Sequence, residues 1–323
     1  MLACRLAPAM TFLRTLGPSD LEVSPLCLGG NVFGWTADEK QSFNVLDAYA
    51  AAGGNFVDTA DVYSAWAPGN QGGESETIIG RWLAARGNRA DIVVATKVGS
   101  HPDHQGLAAE NIRSSAEASL RRLGTDHIDL YYTHRDDPTV SVEEIVTALD
   151  DLVKAGKVRA VAASNISAER LQESLDFAER ENLTRYVALQ PHYNLVSRDT
   201  YEGALQEVAA RAGLGALPYF ALAAGFLTGK YRPGTQVDSA RAQGAAQHLE
   251  TERGRRVLTV LEEVAEEHGT QPATVALAWL SAQPTVVAPI ASARTPEQLP
   301  PLLAAADLTL TADQVDRLTK ASA

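Results

Sequence analysis

Apolar residues in this chain fall in short runs, each followed by a longer stretch with apolar positions three and four apart. The runs at 25–28, 55–58, 92–97, 128–134, 158–164, 187–190, 215–219 and 285–289 are too short for helices. They are bounded by Gly, Pro, Asn or charged residues, and read as buried strands. Helices are expected between them: from a Thr36/Glu39 capping box to residue 52, then 74–86, 108–123, from a Ser141/Glu144 capping box to 155, then 168–181, 200–212 and 296–305. More helix is expected after a long loop that runs to about residue 246. At the start, runs at 11–16 and 21–23 flank Gly17-Pro18-Ser19-Asp20, a hairpin signal. Strand and helix alternate eight times with no break in composition. The expected fold is α/β, a single closed (β/α)8 barrel of the TIM type over residues 10–323.

Composition narrows the function. A length of 323 residues suits one α/β barrel, and 45% hydrophobic residues suffice for a large core. The formal net charge of −12 argues against nucleic acid or an anionic membrane as partner. An anionic ligand would need a local basic pocket. Cys4 and Cys27 form no C-x-x-C and no disulfide framework; Cys27 reads as a small buried hydrophobe. No run is long enough to span a bilayer, and the opening M-L-A-C-R-L-A-P-A is too short for a secretory signal. The expectation is a cytoplasmic protein, monomeric or weakly associated, whose fold begins at Met10 after a disordered extension over 1–9. No metal-binding spacing and no G-x-G-x-x-G occurs. Gly225 and Gly229-Lys230 fall one residue short of a P-loop, and Tyr231 stands where Ser or Thr is required.

Polar residues close three of the strands. N-F-V-D-T-A-D-V-Y at 55–63 places Asp58 at a strand end and Tyr63 in the loop beyond. I-V-V-A-T-K ends in Lys97, and I-D-L-Y-Y-T-H ends in His134. In a parallel α/β fold, carboxyl ends of strands carry the active site. A tyrosine, with a pKa of about 10, is a poor acid at neutral pH. An ammonium about 4 Å away contributes roughly 4 kcal/mol at an effective dielectric near 20. The expectation is therefore that Lys97, held charged by Asp58, outweighs burial and lowers the Tyr63 pKa. His134 would bond and orient a carbonyl.

In order and context these four residues resemble the catalytic tetrad of the aldo-keto reductases. D-T-A-x-x-Y, A-T-K and Y-x-x-H all match, and the similarity runs from about Phe12 to Thr319. The resemblance implies that the N-terminal hairpin plugs the bottom of the barrel. It also implies an NADP(H) site spread over the late strand ends. Ser164, Asn165 and Gln190 resemble the residues that bond the carboxamide, and Tyr219 the aromatic that stacks on the nicotinamide. The stretch from Leu222 to Lys230, with Ala223, Gly225 and Leu227, resembles the loop around the pyrophosphate. Arg241 resembles a phosphate contact. Ser292, Arg294 and Gln298 resemble the residues that hold the 2′-phosphate and adenosine. Gly30 and Asn31, just past the first strand, join the same set. Thr295-Pro296 also reads as a helix start, itself an anion site.

There are departures from the family pattern. Phe220-Ala221 replace the more usual Ser-Pro, Ile290-Ala291 stand where many members have a glycine, and Pro301-Leu302 replace a Glu-Asn pair that grips adenine. The expected substrate pocket is lined by Phe33, Trp35 and Trp66, roomy and apolar, suited to aryl or aliphatic carbonyls. The tail after Leu310 has no aromatic residue to add. His192 reads as a structural histidine beside the sixth strand, and His101 and His104 as solvated. The implied activity is NADPH-dependent reduction of small-molecule aldehydes or ketones. Two alternatives sit on the same fold: a non-enzymatic NADP-sensing subunit like the potassium-channel β subunits, and oxidation of a sugar-type alcohol.

Overall fold

The structure is a computed structural model that describes residues 10, 12–232 and 242–323. Eight parallel strands form one sheet: β1 (Cys27–Gly29), β2 (Phe56–Asp58), β3 (Val93–Val98), β4 (Ile128–Thr133), β5 (Val158–Ser164), β6 (Tyr186–Gln190), β7 (Gly215–Ala216) and β8 (Ile290–Ala291). Each strand lies beside its neighbour in sequence, and β8 lies beside β1. Residues ahead of β8 close the circle. Val286 bridges Ala216, the Ala216 amide donates to Thr285 O (2.8 Å), and the Val287 amide donates to Ala216 O (2.9 Å).

The eighth strand therefore differs from the one read at 285–289. Residues 285–287 bond to β7, and Ile290 and Ala291 pair with β1, opposite Cys27 and Leu28, while the Ile290 amide still donates to Pro218 O (2.9 Å) just past β7. The prolines account for this. Pro289 has no amide hydrogen to give a ladder, although its carbonyl accepts from the Cys27 amide (3.0 Å), so the regular pairing with β1 begins at Ile290.

Alternation along the strands sorts two cores. Phe56, Val93, Ala95, Leu130, Tyr132, Ala160, Ala162 and Ala188 point into the barrel and pack with Leu16, Leu21 and Val23. Val57, Val94, Tyr131, Val161 and Leu189 point outward into the core shared with the helices. Leu16, Leu21 and Val23 come from the N-terminal hairpin, Arg14–Thr15 paired with Glu22–Val23. It plugs the bottom of the barrel as expected. Its turn presses on β6: Gly17 has φ +52, and a Cβ there would sit 2.0 Å from Val187 O.

Helices α1 (Glu39–Ala51), α2 (Glu74–Arg86), α3 (Ala109–Leu123), α4 (Val142–Lys154), α5 (Ala168–Arg180) and α6 (Ala204–Arg211) follow the first six strands. After β7 come a 3-10 turn (Ala223–Thr228), α7 (Ala242–Glu250), α8 (Glu252–Glu267) and α9 (Pro272–Ser281). After β8 come α10 (Leu299–Leu303) and α11 (Ala312–Ala321). Two starts and one capping box differ from the expected ones. The α1 cap is Asp38 with Gln41, both halves of the box formed, rather than Thr36 with Glu39. Ser141 caps α4, but the Glu144 carboxylate accepts instead from the Ala109 amide at the start of α3 (2.8 Å). Helix α6 begins at Ala204, not 200, after a turn closed by Gly203 at φ +95. The tail helix α11 packs on α8, with Arg317 bridging Glu263 and Glu267. No described helix is long and apolar enough to cross a membrane.

Candidate active site

Carrying the inward alternation one step further along each strand reaches Asp58, Lys97, His134, Ser164 and Gln190. These residues meet at the carboxyl ends of the strands, under a cavity of about 1060 Å3. That volume exceeds what most small-molecule sites need. Lys97 is fully buried and donates three ways: to Asp58 Oδ2 (2.6 Å), to Thr59 O (2.6 Å) and to the Tyr63 hydroxyl (3.1 Å). Tyr63 also donates to Asp58 Oδ2 (3.3 Å). The other Asp58 oxygen accepts from Gln190 Nε2 (2.9 Å).

The network continues along the cavity wall. Ser164 Oγ donates to Gln190 O (2.8 Å), Asn165 Nδ2 to Ser164 Oγ (3.0 Å) and to His134 O (2.8 Å), and the Tyr219 hydroxyl to Asn165 Oδ1 (2.8 Å). The His192 ring stacks on Tyr219 at 5.3 Å and does not line the cavity, which suits its structural reading. His101, expected to be solvated, is buried, while His104 is exposed.

The charges resolve differently from the sequence expectation. Burial pushes the Tyr63 hydroxyl up to about 12, and the nearby ammonium does not reverse it. Burial outweighs the lysine, and Asp58 adds to it. Its carboxylate touches the phenol as well as the lysine and opposes the stabilisation that Lys97 gives a phenolate. Burial also disfavours the Lys97 ammonium, but Asp58 and Tyr63 together raise its pKa, so it stays charged. Burial, with Lys97 and Arg135, pushes His134 down to about 3, so the imidazole is neutral at pH 7. Its Nδ1 is buried with no partner among the described residues.

Most of the remaining expected residues line the same cavity: Asn31, Trp35, Trp66, Leu222, Gly225, Lys230, Ser292, Arg294 and Gln298, together with Ser164, Asn165, Gln190 and Tyr219. Four do not. Phe33 is fully buried in the core between sheet and helices, so it is no pocket residue. Gly30 is used for close packing: a Cβ there would lie 2.8 Å from Ser75 Oγ of α2. Ala223 and Leu227 turn their side chains into the outer core. Arg241 lies outside the described residues, as do residues 1–9.

The cavity fits an extended anion. Phe220, Ala223 and Ala224 adopt left-handed φ values of 52°, 48° and 56°, with Gly225 at 96°, in the loop that passes along it. Such strain gathers at ligand sites. Lys230 and Arg294 line the cavity without an ion pair among the described residues. The helix expected after Thr295 opens as a 3-10 turn that leads directly into α10, without the expected Thr295/Gln298 capping box. Pro296–Gln298 is a single 3-10 turn, and Gln298 Oε1 accepts from the Arg294 amide (2.8 Å) rather than capping Thr295. Ser292 Oγ donates to Asn31 Oδ1 (2.6 Å), tying β8 to the loop after β1.

Two residues escaped the sequence reading. Arg135 lines the cavity directly after His134, and its position just past a strand end was the available signal. Asp61, three residues past Asp58, is buried on the outer side of the same turn. Neither of its oxygens has a partner among the described residues. Beside it lies Glu76, buried and bonded to Thr96 Oγ1 (2.5 Å) and Arg122 Nε (2.5 Å).

With this geometry in place, comparison with known proteins is direct. Residues 25–323 match the model of the aldo/keto reductase family. The chain is 37% identical to the uncharacterized oxidoreductase YrpG of Bacillus subtilis, over 91% of each chain. It is 33% identical to norsolorinic acid reductase B of Aspergillus parasiticus, over 98% of this chain and 85% of that one. It is 34% identical to a probable voltage-gated potassium channel subunit beta of Oryza sativa, over 94% of each.

Proposed function

The chain belongs to the aldo/keto reductase family, and from that premise we propose that it reduces aldehydes or ketones to alcohols with NADPH, Tyr63 donating the proton. One observation carries the reading. The Tyr63 hydroxyl, the Lys97 ammonium and the Asp58 carboxylate form a hydrogen-bonded triad on the floor of a large cavity, with a neutral His134 beside it.

A bound nicotinamide supplies the hydride. The residues of this chain supply position and the proton. Tyr63 faces the cavity and is protonated throughout the physiological range, as a proton donor must be. As the proton leaves, the phenolate that forms is held by Lys97 at 3.1 Å. Asp58, fixed by Gln190, keeps the lysine aimed. His134 bonds the carbonyl as a neutral imidazole. Lys230 and Arg294, which line the cavity, would hold the cofactor's phosphates, and Tyr219 would give the nicotinamide a flat wall.

Replacing Tyr63 by Phe should cut single-turnover NADPH oxidation by at least a hundredfold while cofactor affinity changes little. General acid catalysis typically contributes about 10²–10⁴-fold. A variant that keeps most of its rate would overturn the assignment. The rice relative's name favours a second reading, a channel-associated subunit that binds NADP without turnover. Tight NADPH binding with no reduction of any aldehyde or ketone in a broad panel would select it.

A further inference from the structure

Among the described residues three cations line the cavity: Lys230, Arg294 and Arg135. The first two come from the loop after β7 and from the end of β8, where the phosphates of a dinucleotide belong. Arg135 stands apart from them, at the end of β4. Its backbone is fixed on both sides. The His134 amide donates to Val98 O (2.9 Å), Asn165 Nδ2 donates to His134 O (2.8 Å), and the Asp136 amide donates to Asn165 O (3.2 Å).

Two acids follow Arg135 directly, yet both are committed elsewhere. Asp136 pairs with Arg170 (3.0 Å). Asp137 accepts from the Leu107 amide (3.0 Å) and from Thr139. Arg135 itself makes no hydrogen bond or ion pair among the described residues, in a chain of net charge −12. Its charge acts on His134 and on Tyr219, the groups at the reacting end of the cavity. On the wall of the same cavity, Trp35 and Trp66 meet edge to face at 5.7 Å, and Trp66 packs on Tyr63 at 6.0 Å. An apolar wall beside the proton donor and a free guanidinium beside the orienting histidine describe one kind of guest.

Building on the reductase reading above, we propose that Arg135 selects substrates, and that the preferred ones are carbonyl compounds with an apolar body and a carboxylate. The guanidinium fork donates to both carboxylate oxygens while the carbonyl lies over Tyr63. Arg135 is exposed in the free protein, so holding it ready costs no desolvation, and the pair is partly shielded once the substrate covers it.

The test compares 4-carboxybenzaldehyde with its methyl ester, which has the same body and no charge. In the wild type at low salt, kcat/KM should favour the carboxylate by about tenfold or more, the lower end of what a charge-assisted bond gives. Arg135→Gln should collapse that ratio towards one, Arg135→Lys should restore part of it, and 0.5 M salt should shrink it in the wild type. A wild-type ratio near one, or a ratio unchanged in Arg135→Gln, would overturn the proposal. Thermal melting checks that each variant is folded. If neither aldehyde is reduced, the reductase reading fails. The present inference is then decided by equilibrium binding of the two compounds, read from tryptophan fluorescence. A carboxylate preference that Arg135→Gln abolishes supports it, and equal binding of acid and ester overturns it.

Discussion

Asp61 offers a quantitative test of the structure that does not depend on substrate. Its carboxyl is buried, with Glu76 alongside, and burial pushes its pKa up to about 7. Glu76 raises it further, and Arg122 opposes both. In the unfolded chain the same group titrates near 4. Below pH 4 it is protonated in both states and imposes no penalty. Between pH 4 and 7 the unfolded chain ionises while the folded protein must keep the proton. Stability then falls as pH rises, by about 1.4 kcal/mol per pH unit, and the loss is complete above pH 7. Three pH units give a ceiling of about 4 kcal/mol.

Asp61→Asn removes the titration and leaves an amide without clear partners, at a pH-independent cost of about 1–3 kcal/mol. The variant should be less stable than the wild type at pH 4.5 and as stable or more stable at pH 8. The difference between the two proteins should swing by about 2–4 kcal/mol across that range. Reversible urea unfolding of both at a series of pH values measures it, with midpoints compared at a common m-value. Other groups titrate in both proteins and cancel. Two stability curves running parallel from pH 4.5 to 8 would refute the buried, unpartnered placement of Asp61.

Three further predictions concern the other charges of the cavity. Arg294→Ala should weaken NADPH binding by roughly 1.5–3 kcal/mol while touching NADH little, if the guanidinium holds the 2′-phosphate; equal losses in fluorescence titrations of the two cofactors would remove that role. The single-turnover reduction rate should be level between pH 6 and 9, because His134, pushed down to about 3, is already neutral and Tyr63, pushed up to about 12, is still protonated. An inflection near pH 6.5 would contradict the burial of His134, and a decline centred near 9 would contradict the shift of Tyr63. The same histidine contributes stability above pH 6.5 that is lost as pH falls towards 3, opposite in sign to Asp61, so His134→Gln should flatten the acid side of the unfolding profile.

Much of this molecule was legible in the order of its residues. Eight short apolar runs with helical spacing between them gave the barrel, and the glycine-centred turn after Leu16 gave the hairpin. Alternation alone leads from Ala95 to Lys97, from Tyr132 to His134 and from Phe56 to Asp58, so the floor of the cavity is a local property of each strand. Periodicity and turn chemistry act within a few residues, which is why they can be read without a structure. What the tertiary structure decided involves partners far apart in sequence. Gln190 reaches Asp58 across 132 positions, and Ser292 reaches Asn31 across 261. The prolines near β8 shortened its ladder only because β7 and β1 flank it. Phe33 is an aromatic in a loop by sequence and a core residue by packing. The Tyr63 pKa went up rather than down because burial outweighed the lysine and Asp58 closed on the phenol as well, an environment no spacing rule contains. Arg135 is one basic residue among many until the fold occupies its neighbours and leaves its own charge open to the cavity. Charge and hydrophobicity belong to the residue, but the dielectric around it and the company it keeps are set by the whole chain.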